Sequence, residues 1–387
     1  MRIAYLLADP GIGVFGTKGA SVHVQEVVRA LIALGHQVTV FCVRSDESVP
    51  PDLEDLEVVR VPLGRAADAA EREVRVAEAA RALAAAAVAH PDSFDLVYER
   101  YSLFSTAGEE ASRALGIPLV LEVNAPLIEE QRTHRELHDA EAALAATLRQ
   151  FRRAEVLVCV SAQVARWAGT MCPEAAGRAV VVPNGVDVTR ICPAQPSLRR
   201  DARFTVGFVG TLKPWHGTEV LLEAFARACR SAADDWRLDI CGAGPELAAL
   251  RERAHALGIA ERTVFRGALP PHRVPEMLAG LDIAVAPYPP GPHYFSPLKV
   301  YEYLAAGLPV VASAVGDLPA LLGDGERGLL VPPGDPAALA SSLRILAADP
   351  ALRARMGASA RAAAVAEHSW TGRCAQWLGL LEGVPVP

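Results

Sequence analysis

Short apolar runs alternate with helical stretches along the chain, and this alternation restricts the fold more than any other feature. Each run is continuously apolar and lacks the polar alternation of a half-exposed strand, so both faces of each strand should be buried. Buried strands separated by helices indicate a parallel sheet covered by helices. The first half contains six such runs: RIAYLLA, QVTVFCV, LEVVRV, FDLVYER, IPLVLEV and AEVLVCV.

The alternation stops after the sixth run and starts again in the second half. A turn and a linker separate the halves, and they include Pro183, Pro193 and Pro196. A length of 387 residues also favours two domains. We therefore predict an α/β protein with two doubly wound domains, over residues 1–190 and 200–367. The second set of runs is FTVGFVG, WRLDICGAG, RTVFRGA, LDIAVAPY, LPVVAS and RGLLVPPG.

Charge and cysteine content exclude several classes of protein. The net charge of -7 and the absence of a long basic run argue against nucleic-acid binding. The 7 cysteines are scattered and never spaced C-x-x-C, so we expect free thiols in a reducing cytoplasm, without a zinc site or disulfides. The apolar opening ends at Asp9, well short of the roughly 18 residues of a membrane span. We expect a cytoplasmic protein, with at most a peripheral contact at the inner face of the membrane.

Three glycines after the first run have the spacing G-x-G-x-x-G, namely Gly11, Gly13 and Gly16. In a dinucleotide fingerprint the helix opens at the third glycine, and an acidic residue follows about 20 residues later. Here the helix is expected to begin only near Ser21, and Asp46 lies too far along. An NAD(P)-dependent enzyme is therefore a minor alternative. We favour a loop that offers bare N–H groups and Lys18 to an anionic ligand.

The segment PYPPGPHYFSPLKVYEYLAAGLPVVAS concentrates residues suited to a phosphate site. A helix is expected to begin near Ser296, with Pro297 and Leu298 at its start. The positive end of a helix together with Lys299 suits a diphosphate, and Glu302, one turn further, can accept both hydroxyls of a ribose. The alternative is an ordinary amphipathic helix with surface charges.

Several stretches together resemble the retaining nucleotide-sugar glycosyltransferases of family four. They cover nearly the whole chain: GHQVTV, VSAQVA, VVPNGVD, FVGTLKPWHG, CGAGPE and EYLAAGLPVVA. The resemblance implies the GT-B fold, two facing Rossmann-like domains with residues 368–387 crossing back to the first. It also implies an acceptor-binding first domain, a second domain that binds a nucleoside diphosphate sugar, and no cofactor. A nucleotide-sugar 2-epimerase with the same fold is the alternative enzyme.

By this resemblance, Glu302 binds the donor ribose. The stretch FVGTLKPWHG corresponds to a loop in which the family carries an arginine and a lysine that hold the diphosphate. Thr211 and His216 stand in those places here. Lys213 and Lys299 are therefore expected to replace them as the catalytic cations.

Four further residues belong to the expected donor site. Gly210 and Gly242 lie in loops that follow strands, and Arg266, in VFRGALPP, is expected beside the base. Tyr294 stands where the family has a second glutamate, which contacts hydroxyls of the donor sugar. This departure implies a donor sugar that lacks one of these hydroxyls, or whose hydroxyls are read by loop amides.

Two segments of the first domain are expected at the cleft with the acceptor. One is the glycine-rich loop with Gly16, Lys18 and Gly19, interpreted as a flexible flap. The other is VLEVNAPL, in which Asn124 stands where many relatives carry a histidine near the reacting sugar. Glu122 lies two residues earlier on the same face of the strand and could be a base or an acceptor contact.

The expected mechanism is electrostatic. Transfer leaves negative charge on the departing phosphate, and cations with oriented N–H groups stabilise it. The sequence contains no D-x-D motif, with which many other sugar transferases hold a divalent ion. We therefore expect transfer without a metal to a saccharide, lipid-linked or small-molecule acceptor. His23, His134 and His138 are interpreted as surface or packing residues.

Overall fold

A computed structural model describes residues 1–46, 48–194, 203–229 and 235–381. The chain divides into two compact units, each with its own parallel sheet. The first comprises Met1–Asn184, Tyr294–Ser296 and Trp370–Pro387, and the second comprises Gly185–His293 and Pro297–Ser369. Pro196 of the predicted linker and the boundary at residue 200 lie outside the described residues.

The first unit contains a seven-stranded sheet in the order β3-β2-β1-β4-β5-β6-β7, with every neighbouring pair parallel. The central strands β4, β5 and β6 are buried along their whole length, as their apolar runs predict. The short edge strand β7 was not among the predicted strands, because three residues are too few to give a recognisable run. The strands are β1 (Arg2–Leu7), β2 (Gln37–Cys42), β3 (Glu57–Arg60), β4 (Leu96–Arg100), β5 (Leu119–Val123), β6 (Val156–Cys159) and β7 (Ala179–Val181).

The helices of this unit are α1 (Gly19–Ala33), α2 (Ala69–Val88), α3 (Ala107–Leu115), α4 (Leu127–His134), α5 (Ala140–Arg153), α6 (Ala162–Met171) and α14 (Trp370–Leu378). Helix α1 begins two residues before the predicted Ser21, because the Val22 N–H already donates to the Lys18 carbonyl at 2.9 Å. Helix α14 packs on α1, and the Trp377 ring lies 5.1 Å from that of Tyr98 on β4. The C-terminal helix thus belongs to the first unit.

The second unit contains a six-stranded parallel sheet in the order β10-β9-β8-β11-β12-β13. Its strands are β8 (Phe204–Val209), β9 (Trp236–Cys241), β10 (Thr263–Gly267), β11 (Ile283–Ala286), β12 (Val310–Ser313) and β13 (Gly328–Val331). Its helices are α7 (Thr218–Ala228), α8 (Leu247–Ala256), α9 (Val274–Ala279), α10 (Leu298–Ala305), α11 (Leu318–Leu321), α12 (Pro336–Ala348) and α13 (Pro350–Glu367). The structure therefore has the two doubly wound α/β sheets that the sequence predicts.

The cysteines are all free thiols, and Cys192 is the exposed one. Among the described residues, no helix has both the length and the apolarity needed to cross a membrane.

Candidate active site

The strand order of the second unit predicts where a ligand binds. The chain passes from β8 outward to β9 and β10 on one side, and from β11 to β12 and β13 on the other. Ligands of such sheets bind beyond the carboxyl ends of the strands at this switch point. The two loops that start there, after β8 and after β11, are in contact, since a Cβ on Gly217 would lie 1.8 Å from the Pro287 carbonyl oxygen. With its φ of +66°, position 217 therefore requires glycine.

The ends of β8, β9 and β10 are joined by backbone hydrogen bonds. The Gly210 N–H donates to the Cys241 carbonyl at 2.9 Å, and the Gly242 N–H donates to the Gly267 carbonyl at 2.8 Å. A Cβ on Gly242 would lie 1.8 Å from the Gly210 carbonyl oxygen, and φ there is +152°. These glycines therefore let three strand ends approach each other closely, which gives Gly210 and Gly242 a structural reason to be glycine.

Helix α10 is fixed against the end of β8. Tyr303 is buried, and its hydroxyl accepts the Val209 N–H at 2.8 Å. The helix begins at Leu298, with Pro297 as its N-cap, slightly later than the predicted start at Ser296. This places Lys299 in the first turn, beside the positive end of the helix dipole.

Lys299 is a buried amine without a hydrogen-bond partner for Nζ among the described residues. Nζ lies 4.2 Å from the ring centroid of Phe208 and 5.3 Å from that of Tyr288. A Cβ on Gly210 would lie 2.8 Å from this Nζ, so the side chain passes directly over the end of β8. Burial lowers the pKa of Lys299 to about 7, although the Glu302 carboxylate acts in the opposite direction.

The hydrogen bond of His216 to Thr211 fixes the tautomer of the imidazole ring. Its Nδ1 is hydrogen-bonded to the Thr211 carbonyl oxygen, which can only accept, so Nδ1 carries the proton in the neutral ring. Nε2 is then left with its lone pair. Burial and the nearby charges of Lys299 and Lys213 lower the pKa of His216 to about 3, although the bond to Thr211 opposes this. His216 is therefore a neutral imidazole at pH 7, unlike the lysine that the sequence resemblance implies at this place.

The other predicted donor residues have different surroundings. The Lys213 Nζ lies 4.5 Å from the ring centroid of Trp215, which is exposed. Both oxygens of the buried Asp239 carboxylate accept from the Arg266 guanidinium, each at 2.5 Å. Glu302 lies half-buried on α10, one turn after Lys299. The Arg266 side chain is thus held to the sheet.

Tyr294 and Ser296 belong to the first unit and not to the cluster around Lys299. The Tyr294 hydroxyl donates to the Glu130 carboxylate. The Tyr294 carbonyl accepts from the Ser161 hydroxyl at 2.6 Å, and the Ser296 carbonyl accepts from the Asn184 amide at 2.6 Å. The hydroxyls and carbonyls of Tyr294 and Ser296 are therefore already hydrogen-bonded.

The glycine-rich loop of the first unit is packed, which differs from the flexible flap that its sequence suggests. Val14 and Phe15 are buried, and the Gln25 amide donates to the carbonyl oxygens of Val14 and Gly16 at 2.9 and 3.0 Å. A Cβ on Gly13 would lie 1.7 Å from an Asp46 carboxylate oxygen. Gln25 was not identified from the sequence, because its partners are backbone atoms of a loop whose path the sequence does not show. The following residues, Lys18 and Gly19, are exposed.

Glu122 lies in a buried ion-pair cluster. Its carboxylate is 2.5 Å from His23 Nε2 and accepts from Arg100 at 3.2 Å. Burial alone would raise the pKa of Glu122, but His23 and Arg100 outweigh it and lower the pKa to about 2. A carboxylate with this pKa and 3% exposure is poorly suited to take a proton from an acceptor.

His23, which is interpreted from the sequence as a surface or packing residue, is buried and hydrogen-bonded to Glu122. Its position on the apolar face of α1 is the sequence signal that indicates a buried histidine. Asn124 lies just beyond β5, and its Oδ1 is buried without a hydrogen-bond partner among the described residues. The side chain of His134 is outside the part of the chain that the structure describes, and His138 is exposed. Within the described ranges, no three His, Cys, Asp or Glu side chains are grouped so as to hold a metal ion.

Comparison with known proteins identifies the family. Residues 17–190 match the model of Glycosyltransferase Family 4, and residues 194–363 match that of Glycosyl transferases group 1. A D-inositol 3-phosphate glycosyltransferase of Acidothermus cellulolyticus is 30% identical over 98% of this chain and 86% of the relative. The chain belongs to the family 4 glycosyltransferases. A relative of the same name from Geodermatophilus obscurus is 32% identical over 88% of this chain and 80% of its own length.

Solved structures of this enzyme class share the fold. HepE of Anabaena, crystallised with UDP and glucose, has a TM-score of 0.77 at 20% identity, covering 99% of this chain and 100% of that one. WaaG, a glycosyltransferase involved in lipopolysaccharide biosynthesis, has a TM-score of 0.75 at 18% identity, covering 98% and 100%. These structures confirm the predicted GT-B fold, and the family models and relatives confirm the assignment as a glycosyltransferase.

Proposed function

We propose that this glycosyltransferase takes its sugar from a nucleoside diphosphate sugar bound by the second unit, and that Lys299 holds the departing diphosphate. The observation that carries the proposal is the Lys299 Nζ. It is buried at the switch point, lies at the start of α10, and has no hydrogen-bond partner among the described residues. A buried amine in this position needs an anionic ligand, because its burial is otherwise unfavourable.

The chemistry follows from the charge that develops during transfer. As the bond to the sugar breaks, negative charge collects on the leaving phosphate, and a cation at low local dielectric stabilises it strongly. Lys299 and the N-terminus of α10 act on the same group. Lys213, at the more exposed rim, adds a second cation. Glu302, one turn after Lys299, is proposed to accept the ribose hydroxyls.

The proposal includes retention of anomeric configuration and transfer without a metal ion. Retention is supported by the resemblance to retaining enzymes. Transfer without a metal ion is supported by the lysines and the helix N-terminus, which supply the positive charge that a bound metal ion would otherwise provide. For the donor sugar, the two alternatives predicted from Tyr294 are kept. Either the sugar lacks one of the hydroxyls, or backbone amides of a loop bind these hydroxyls.

The first unit is proposed to bind the acceptor, and the relatives narrow its class. Their name, D-inositol 3-phosphate glycosyltransferase, makes a small phosphorylated polyol the first acceptor to test. The exposed Lys18 and Gly19 at the start of α1 suit its phosphate. The unpartnered Asn124 Oδ1 suits an acceptor hydroxyl, whereas Glu122 has a structural role in its ion-pair cluster.

The first experiment is a binding panel on the full chain. UDP, GDP, dTDP, ADP and NAD are compared by thermal shift, and a bound ligand should stabilise by about 2.7 kcal/mol at 100 times its dissociation constant. The sugar donor of the stabilising nucleotide is then supplied with inositol 3-phosphate or a saccharide, in the presence of EDTA. We expect a glycoside with the donor's anomeric configuration by NMR. Stabilisation by NAD alone, or release of a 2-epimerised sugar without an acceptor, would overturn the proposal.

Variants test the role of the lysines. Replacing Lys299 or Lys213 by methionine should each lower kcat by about 100- to 1000-fold, as does the loss of one donor to a developing anion. The matched control is Arg355→Met, which removes an exposed cation from α13. If kcat fell by less than tenfold in both lysine variants, a role of these lysines in stabilising the departing phosphate would be excluded.

A further inference from the structure

Lysine is rare in this protein. Only Lys18, Lys213 and Lys299 are lysines among its 38 lysine and arginine residues. Lys18 is exposed and Lys213 half-buried, whereas Lys299 is buried. A guanidinium keeps its charge in any surroundings, but an amine loses its proton readily when it is desolvated. A lysine at the buried position therefore permits an uncharged state that arginine would forbid.

Lys299 is buried, and its Nζ has no hydrogen-bond acceptor among the described residues, so little replaces the water that an ammonium group would lose. The rings of Phe208 and Tyr288, which lie over Nζ, attract a cation only weakly by comparison with a hydrogen-bonded anion. The ionisable groups around this cluster come from four neighbouring parts of the chain: Lys213 and His216 from the loop after β8, Glu302 and Tyr303 from α10 itself, Cys241 from β9, and Tyr288 with His293 from the loop after β11. Among these, Glu302 is the group that favours the charged amine.

His216 completes the argument. Its Nδ1 proton is committed to the Thr211 carbonyl, so the neutral ring presents a lone pair at Nε2 and no positive charge. The neutral ring therefore neither supplies a negative charge to Lys299 nor holds a permanent positive charge beside it. The charge of Lys299 is thus left to respond to an anion that binds next to it.

We infer that Lys299 is largely uncharged in the ligand-free protein above neutral pH and takes up a proton when a nucleoside diphosphate binds. The inference rests on the proposed function. The proton comes from solvent and adds to the lone pair of Nζ, and no other bond forms or breaks. The diphosphate brings further negative charge next to Nζ, so ligand binding and protonation favour each other.

The size of the effect follows from linkage. With the pKa of Lys299 lowered to about 7 by burial, binding that restores full charge takes up about 0.9 proton at pH 8 and about 0.1 at pH 6. Because the charged amine binds the ligand better, affinity should fall about tenfold for each pH unit above 7. The terminal phosphate of the free nucleotide ionises near pH 6, so at pH 8 it does not contribute.

Calorimetry measures the uptake directly. The nucleotide selected by the thermal-shift panel is titrated into the full chain at pH 6 and pH 8, in buffers with different heats of ionisation. Uptake near 0.9 proton at pH 8 supports the inference, whereas normal binding with uptake below about 0.2 overturns it and leaves the proposed function intact. Failure of every nucleotide to bind overturns the proposed function and the inference with it.

Two variants locate the proton. Lys299→Arg keeps a permanent charge and should abolish the uptake at pH 8 while nucleotide still binds. Lys213→Arg is the matched control, in which the uptake should persist. If Lys299→Arg took up as many protons as the wild type, another group would be responsible and the assignment would be wrong.

A measurement on the wild type avoids dependence on variants that could misfold. Protein labelled with ¹³C at lysine Cε gives three signals, one for each lysine. One signal should titrate near pH 7 in the free protein, because burial lowers the pKa of Lys299 to about 7. The same group should remain charged up to at least pH 9 with nucleotide bound, because the diphosphate favours the charged amine. Three signals that all titrate above pH 9 in the free protein would contradict the inference.

Discussion

At the scale of single residues, the buried ion pair of the first unit shows how a conspicuous carboxylate can be structural. Glu122 stands two residues before Asn124, at the end of a strand where functional residues collect. The structure joins it to His23 at 2.5 Å and to Arg100 at 3.2 Å. Removing the Glu122 carboxylate leaves the buried Arg100 guanidinium without this partner.

We predict that Glu122→Gln lowers the free energy of unfolding by about 3 kcal/mol at pH 7. The pKa of Glu122 is lowered from 4.5 to about 2 in the folded state, so its contribution is complete above pH 4.5 and is lost as the pH falls towards 2. Denaturant titrations at pH 7 and pH 3 should show wild type and variant converging at the lower pH.

The matched control is Glu57→Gln. Glu57 also pairs with a histidine, His90 at 3.3 Å, but its side chain is 54% exposed. Exposed pairs contribute little, so this change should cost less than about 1 kcal/mol. Equal losses for the two variants would show that burial does not decide the effect.

At the scale of elements, the glycine-rich loop and α1 form one structure. The loop is held to α1 by Gln25, and the Phe15 N–H donates to the Ser45 carbonyl at 2.8 Å. A packed loop presents Lys18 and Gly19 at a fixed place, which a mobile flap would not do.

We predict that Gln25→Ala speeds hydrogen exchange of the amides of residues 14–16 by at least tenfold, because two carbonyl anchors are lost. Sugar transfer should fall while nucleotide binding stays within twofold. Gln131→Ala is the control, since its amide donates to a single exposed carbonyl, that of Glu136. Weakened nucleotide binding in Gln25→Ala would argue against a role confined to the acceptor.

At the scale of the whole molecule, the two units have similar sheets but different loops at their switch points. In the first, β1 leads into the packed glycine-rich loop, whereas in the second, the loops after β8 and β11 meet beside the buried Lys299. The positive charge suited to a diphosphate is thus in the second unit.

We predict that saturating nucleotide slows hydrogen exchange at residues 210–217, 242–246 and 297–302 and leaves residues 9–18 unchanged. The reason is that the first set surrounds the strand ends of the second unit, where backbone N–H groups and Lys299 meet the ligand. Mass spectrometry of the full chain with and without nucleotide gives the comparison. Protection at residues 9–18 instead would favour a dinucleotide site in the first unit.

The sequence by itself determined the architecture, because continuous apolar runs require buried parallel strands, and their repetition after a linker requires two sheets. It also placed Lys299 and Glu302 one turn apart near the start of one helix, since a proline at a helix start and a three-residue spacing are local features. It could not show β7, which is too short, or the packed loop, whose anchors are backbone atoms.

The charge and the hydrogen-bond partners of the ionisable side chains at each site were decided only by tertiary structure. Whether Glu122 is a base or part of an ion pair depends on His23, 99 residues away along the chain. Whether His216 is a cation depends on its burial, two lysines and one carbonyl, and whether Lys299 is charged depends on its burial and on the Glu302 carboxylate. Residue types and spacing are local, but desolvation and charge are sums over neighbours that only the folded chain brings together.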